Sequence, residues 1–278
     1  MHVRLALFLF CTLWMGFLQS SCTKPATEFV PKENPFEVVP ARFPQKVLME
    51  SFVAEWTSSS LQAAVQTGNI TKEYPDAVYP VNLHVNDWLS IPFHEYLSDL
   101  LGGLLDVPRA AVNRTPAAGK DSYTLLPPGE WTKAIEQALQ PEAPLALSIA
   151  TGFTNAQSGY ADVYIAHKQA ISGDLRVFLY LSQDQIPALF QQGATDVFHH
   201  QHVLRDVVPG LDGEPVSLNE EFPEGEIIRK SFPSINLQNL DLTQVKLTAF
   251  VARMDPDFRN MRILNVQQVS FGGNKYWD

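Results

Sequence analysis

The sequence predicts an α/β layer followed by an all-β sandwich. Three observations carry that expectation. Strand-like and helix-like apolar patterns alternate between Lys46 and Leu139, and strict period-two alternation takes over after Pro144. The only two cysteines, Cys11 and Cys22, fall in or just after an apolar leader, so the rest of the 278-residue chain is held by packing without disulfides.

The leader, residues 1–21, has the form of an export signal: Arg4 supplies a positive start, Leu5 to Leu18 is apolar, and Gln19-Ser20-Ser21 offers small and polar residues before Cys22. The run is too short for a comfortable membrane-spanning helix. Cleavage before Cys22 leaves a terminal thiol that can accept a diacylglyceryl group, although Gln19 stands where a lipobox usually has leucine. Two or more acyl chains make a firm anchor, since each buried methylene adds about 0.8 kcal/mol. Removing the leader takes away one arginine and no acid, so the net charge of −10 becomes −11. Such a surface repels nucleic acid and anionic lipid, which leaves the N-terminal lipid as the expected membrane contact.

Residues 22–44 carry Pro25, Pro31, Pro35, Pro40 and Pro44 with little periodicity and read as an extended tether. In residues 45–142, the run Val47-Leu48-Met49 through Phe52-Val53 reads as a strand ending at Trp56. It passes into a helix capped by Ser58-Ser59-Ser60, expected to run to about Gln66 and stop near Gly68. A second strand spans Val78 to Val85, a helix follows Pro92 through Phe93, Leu97, Leu100 and Leu101, a third strand spans Arg109 to Asn113, and Pro128-Gly129 opens a helix with Trp131 and Ile135 on one face.

In residues 143–278, runs around Leu145 to Ile149, Ala161 to Ile165, Leu175 to Leu181, Val245 to Val251 and Ile263 to Phe271 alternate strictly, which predicts an immunoglobulin-like sandwich. The strands are expected to pair through turns at Ser172-Gly173-Asp174 and Asp212-Gly213.

A strand ending in Trp56 and leading straight into a helix is where a thioredoxin-like fold carries its Cys-x-x-Cys pair, because the helix N-terminus lowers the pKa of the first thiol. Here Thr57 and Ser60 occupy those positions. Hydroxyls form no disulfide, so dithiol exchange is excluded. The stretches Lys46 to Phe52 with Trp56, Val85-Asn86-Asp87, Pro108 with Val112-Asn113-Arg114, Phe198 to Arg205, and Ile263 to Val266 resemble the Omp-28-related outer membrane proteins of Bacteroidetes. That resemblance implies a thioredoxin-like domain followed by a β-sandwich on an outer-membrane lipoprotein. It also implies a cis-proline at Pro108 beside the helix, where a peptide groove can survive without redox chemistry, and recurrent structural roles for His200, His202 and Arg205.

Other candidates are weaker. His200 and His202 would face the same way on a strand, but spacing names no third ligand, so a hydrogen-bonding role is expected and no metal or cofactor; His199 is expected to be solvated. His84 and Asp87 could form an acid-base pair near Ser60, yet no Gly-x-Ser-x-Gly elbow accompanies them. Asn113-Arg114-Thr115 matches a glycosylation acceptor by chance, and Arg114 is expected to pair with an acid near the domain junction. The expected function is that of a noncatalytic, lipid-anchored outer-membrane module for a protein or peptide partner. The alternatives are a sulfur-independent hydrolase or metal-dependent enzyme, and a holdase-like chaperone.

Overall fold

The apolar run after Lys46 becomes β1 (Val47–Val53), and all of it is buried because its sheet is covered on both faces. β1 pairs in parallel with β2 (Val78–His84) and antiparallel with β3 (Arg109–Val112). Alternate residues go to opposite sides. Val47 and Met49 meet α1 (Ser58–Glu73) and α3 (Pro128–Leu139), through Ala63, Ile70, Trp131 and Ile135. Leu48 and Phe52 meet α2 (Phe93–Leu100), through Phe93 and Leu97. The computed structural model describes residues 34–116, 125–217, 222, 224–254 and 261–278; the leader, Cys22 and most of the expected tether lie outside the described residues.

α1 runs seven residues beyond the expected end at Gln66, to Glu73. Glycine inside a helix costs about 1 kcal/mol relative to alanine. Burial of Thr67 and Ile70, on either side of Gly68, outweighs that cost. The cap is Thr57, whose hydroxyl accepts from the Ser59 amide, and not one of the serines.

The remaining strands are β4 (Leu145–Asn155), β5 (Ser158–His167), β6 (Asp174–Gln183), β7 (Ile186–Pro187), β8 (His199–His200), β9 (Val203–Val208), β10 (Glu214–Ser217), β11 (Ile227–Asn236), β12 (Val245–Met254), β13 (Met261–Ser270) and β14 (Asn274–Lys275). One sheet has the order β13-β12-β6-β9-β2-β1-β3, with β10 also on β6; a second has the order β11-β5-β4-β14, and β7 pairs with β8. The first sheet therefore passes from one expected half of the chain into the other, through the pairing of Asn82 with Val203.

Neither expected turn joins two strands that pair with each other. Ser172-Gly173-Asp174 does not close a hairpin, because β5 and β6 belong to different sheets. Asp212-Gly213 joins β9 to β10, and both of these pair with β6 instead of with each other. Period two states that a strand has two faces, not which neighbour lies beside it.

Leu175, Val177, Leu179 and Leu181 of β6, with Leu247, Ala249 and Val251 of β12, pack against Leu147, Ile149, Val163 and Ile165 of the second sheet. The opposite faces of the same strands send Phe178, Tyr180 and Phe250 into the core around α2. Strands buried on both sides hold the two layers together. Part of the expected tether is also packed: Phe36 stacks on Tyr164 with ring centroids 4.7 Å apart, and Phe43 is buried with Ala146 and Ala166.

Asn113 and Arg114 both have φ of 48° and follow β3. Asn113 Oδ1 accepts from the Leu48 amide at 2.8 Å and its Nδ2 donates to the Lys46 carbonyl at 3.1 Å, so a side chain continues the ladder beyond the strand. Arg114 turns inward to Glu50, with nitrogen-oxygen distances of 2.8 and 2.7 Å, and to the Tyr180 hydroxyl at 2.7 Å.

Candidate functional site at the β1–α1 junction

β1 ends at Val53, and the four residues Ala54 to Thr57 lead into α1. Ser60 is buried, and its Oγ accepts from the Ala54 amide at 3.0 Å. The Thr57 and Ser59 hydroxyls are 2.6 Å apart, and Ser59 Oγ donates to the Val107 carbonyl at 3.4 Å. The Val107–Pro108 peptide is cis. The start of α1 thus lies against the Pro108 loop, and a recess of about 290 Å³ opens there between Ser59, Gln62, Val107 and Pro108.

On the other side of α1 stand two carboxylate-histidine pairs. His84 Nδ1 is 2.7 Å from Asp87 Oδ2, and His200 Nε2 is 2.9 Å from Glu55 Oε1. The two imidazoles meet edge to face with centroids 4.7 Å apart. Glu55 Oε1 also accepts from Trp88 Nε1 at 3.0 Å, and the Glu55 amide donates to Asp87 Oδ2 at 3.0 Å. Burial opposes ionisation of Asp87, but the hydrogen bond from His84 and the amides of Glu55 and Leu89 outweigh it and hold the carboxyl below its ordinary range. Burial and the neighbouring His84 hold the His200 imidazole below its ordinary pKa against the pull of Glu55. A cavity of about 190 Å³, with Val53, Ala54, Ser60, Val65 and Phe198 among its walls, adjoins both histidines.

His200 and His202 do not share a strand face. β8 ends at His200, and His202 has φ of 55°, which turns its ring to Asp184 at 3.4 Å while its amide donates to Asp184 at 2.7 Å. Burial pushes the His202 imidazole down to about 4. Arg205 is half-buried, and among the described residues it has no hydrogen-bond or ion-pair partner; its burial lowers the guanidinium pKa. His199 is exposed. Among the described residues, no three histidine, cysteine or acidic side chains are grouped to hold a metal. Ser60 has its bond with Ala54 and none with His84, so His84 and Asp87 stand as a pair without a nucleophile attached. Glu55 and Trp88 escape sequence reasoning. The one available signal is an acid directly before Trp56 at the end of an apolar run.

The fold is mixed and mostly β, and its strand-to-helix junction carries hydroxyls. The chain belongs to the outer membrane protein Omp28 family, whose model matches residues 102–275. No curated protein sequence matches it. Among solved structures it is similar to HBP35 of Porphyromonas gingivalis, with a TM-score of 0.63 and 21% identity over 82% of this chain and 76% of that one. Protein AGR_C_4864 from Agrobacterium tumefaciens gives a TM-score of 0.56 and 12% identity over 84% and 96%. These two likenesses concern the fold. A domain of the outer membrane lipoprotein Omp28 from Porphyromonas gingivalis covers 48% of this chain and 91% of its own length at 17% identity, with a TM-score of 0.31, too loose to carry an argument.

Proposed function

We propose that the protein is a noncatalytic lipoprotein, anchored to the outer membrane by acylated Cys22, whose β1–α1 junction binds a protein or peptide partner. In this reading residues 45–142 form a thioredoxin-like layer and residues 143–278 an immunoglobulin-like sandwich, with the redox positions held by Thr57 and Ser60. One observation supports it above the rest: the junction keeps an ordered strand-to-helix turn against Pro108 but carries hydroxyls, and large apolar side chains stand exposed around it. Trp56 is 49% and Trp88 47% exposed, and Leu105 and Phe190 are also exposed. Exposed apolar surfaces of this kind mark interaction sites.

The experiment is a fluorescence titration of the purified chain with a library of extended apolar peptides. Saturable binding that is lost in Trp56→Ser and Trp88→Ser is the expected result; no binding by the unaltered chain removes the reading. A second reading, a sulfur-independent hydrolase, draws on the 2.7 Å contact of His84 with Asp87. Ester turnover lost in His84→Ala would favour it.

A further inference from the structure

Between β6 and β9 the chain leaves the sheet and returns as a strap. Its neck is narrow: Ile186 pairs with His200 and Pro187 with His199, the Ala188 amide donates to the Phe198 carbonyl at 2.9 Å, and Asp184 holds the His202 amide and, at 2.6 Å, Lys246 Nζ. Its tip crosses the start of α1. The Gln192 amide donates to the Glu55 carbonyl at 2.8 Å and Gln191 Nε2 to the Thr57 carbonyl at 3.1 Å. Gly193 lies so close that a Cβ there would sit 3.0 Å from the Ser58 Cβ. His200, at the foot, bonds Glu55. The strap thus lies over the junction and closes one side of the 190 Å³ cavity with Gln191, Phe198 and His200.

Apolar burial holds the strap at its neck, where Ile186 is buried with Leu89 and Val203, and hardly at its tip, where Leu189, Phe190 and Val197 are 77%, 62% and 79% exposed. The tip's grip on the junction consists of a few polar bonds, and two of the strap's bonds end on Glu55, from the Gln192 amide and from His200. We propose that the strap Gln185–Gln201 is an acid-opened cover over the β1–α1 junction, released through His200. The proposal rests on the reading above for what the cover controls, namely access of a partner to Val53, Ala54 and the first turn of α1.

The groups facing His200 are Glu55 from the segment after β1, His84 from β2, and Asp87 from the loop beyond it. From its own stretch of chain come exposed His199 and the Phe198 ring, whose centroid lies 5.0 Å from that of His200. The α1 residues along the cavity, Ser60, Ala64, Val65, Thr67 and Gly68, carry no charge. Among the described residues no lysine or arginine forms an ion pair with Glu55 or Asp87. A ring whose pKa is lowered when covered binds a proton more readily once it reaches water. By linkage, acidification below about pH 6.5 then draws the strap outward.

The test is amide hydrogen exchange on the full chain, corrected for the intrinsic pH dependence of exchange, at about pH 7.5 and about pH 5.5 on either side of the ordinary histidine range. The Ala188, Gln192 and Ala194 amides, bonded to Phe198, Glu55 and Gln191, report the strap, and those of β6 report the core. A several-fold loss of protection at the lower pH in the strap, with β6 unchanged, is expected. His200→Gln retains an N–H for Glu55 and should abolish the response, whereas His202→Asn should keep it. In the unaltered chain, the imidazole resonance of His200 should titrate below about pH 6.5, within the range over which protection is lost. Equal protection at both pH values, a response that survives His200→Gln, or a His200 resonance that titrates above about pH 6.5 would overturn the proposal. No partner enters the measurement, so its failure leaves the peptide-binding reading standing, and absent peptide binding leaves the cover intact.

Discussion

Glu50 and Arg114 are 64 residues apart in the chain and both essentially inaccessible to solvent. Removing one partner strands a buried charge, which costs about 3–5 kcal/mol, while replacing both by apolar groups costs far less. Arg114→Met should therefore lower the urea midpoint strongly, and adding Glu50→Leu should restore part of it. A double variant no more stable than Arg114→Met would refute that account. The histidines set the pH response. His167, His200 and His202 all have imidazole pKa values lowered by burial, His202 to about 4. Between about pH 6.5 and about 4 the unfolded chain takes up protons that the folded chain refuses, so stability falls as the pH is lowered through that window. For His202 alone the full effect approaches about 3 kcal/mol. His202→Asn, which tolerates the left-handed backbone there, should flatten the slope of unfolding free energy against pH; an unchanged slope would show that the other groups carry it.

At the scale of elements, α1 offers the clearest test of local against tertiary forces. A Cβ at Gly68 meets nothing within 4 Å, so Gly68→Ala should stabilise the protein by about 1 kcal/mol in thermal or urea unfolding. A loss of stability would mean that the glycine serves a purpose besides helix packing. The turn into α1 carries a second test. If the junction has the thioredoxin-like shape, Thr57→Cys with Ser60→Cys should form a reducible disulfide, with the first thiol's pKa lowered by the helix N-terminus. Thiol titration after mild oxidation reads it, and two persistently free thiols would count against that shape. These elements were legible because their signals are local: the proline before α2, the apolar spacing of Trp131 and Ile135, and the alternation of β6 and β12. The strap was not legible, since Gln185 to Gln201 has no periodicity and is held by bonds to residues more than a hundred positions earlier.

For the whole molecule, anchorage is the first matter to test. Cys22→Ala should move the protein from the membrane fraction to the soluble fraction of the envelope, read by immunoblot of fractionated cells; an unmoved protein removes the lipid anchor. The sheet that runs from β13 to β3 joins the two halves of the chain, so a single cooperative unfolding transition is expected by both fluorescence and far-ultraviolet circular dichroism. Two separated transitions would mean that the halves fold independently.

By itself the sequence determined the thiol-free body, the order of helices and strands, and Thr57 and Ser60 at the first turn of a helix, because composition and periodicity are properties of neighbouring residues. Only the tertiary structure decided which sheet each strand joined, that Arg114 met Glu50, and that His200 met Glu55 and His84 instead of sharing a face with His202. Those outcomes depend on pairings across long stretches of chain, where burial of both faces of β6 and β12 and the need to partner buried charge outweigh local preference.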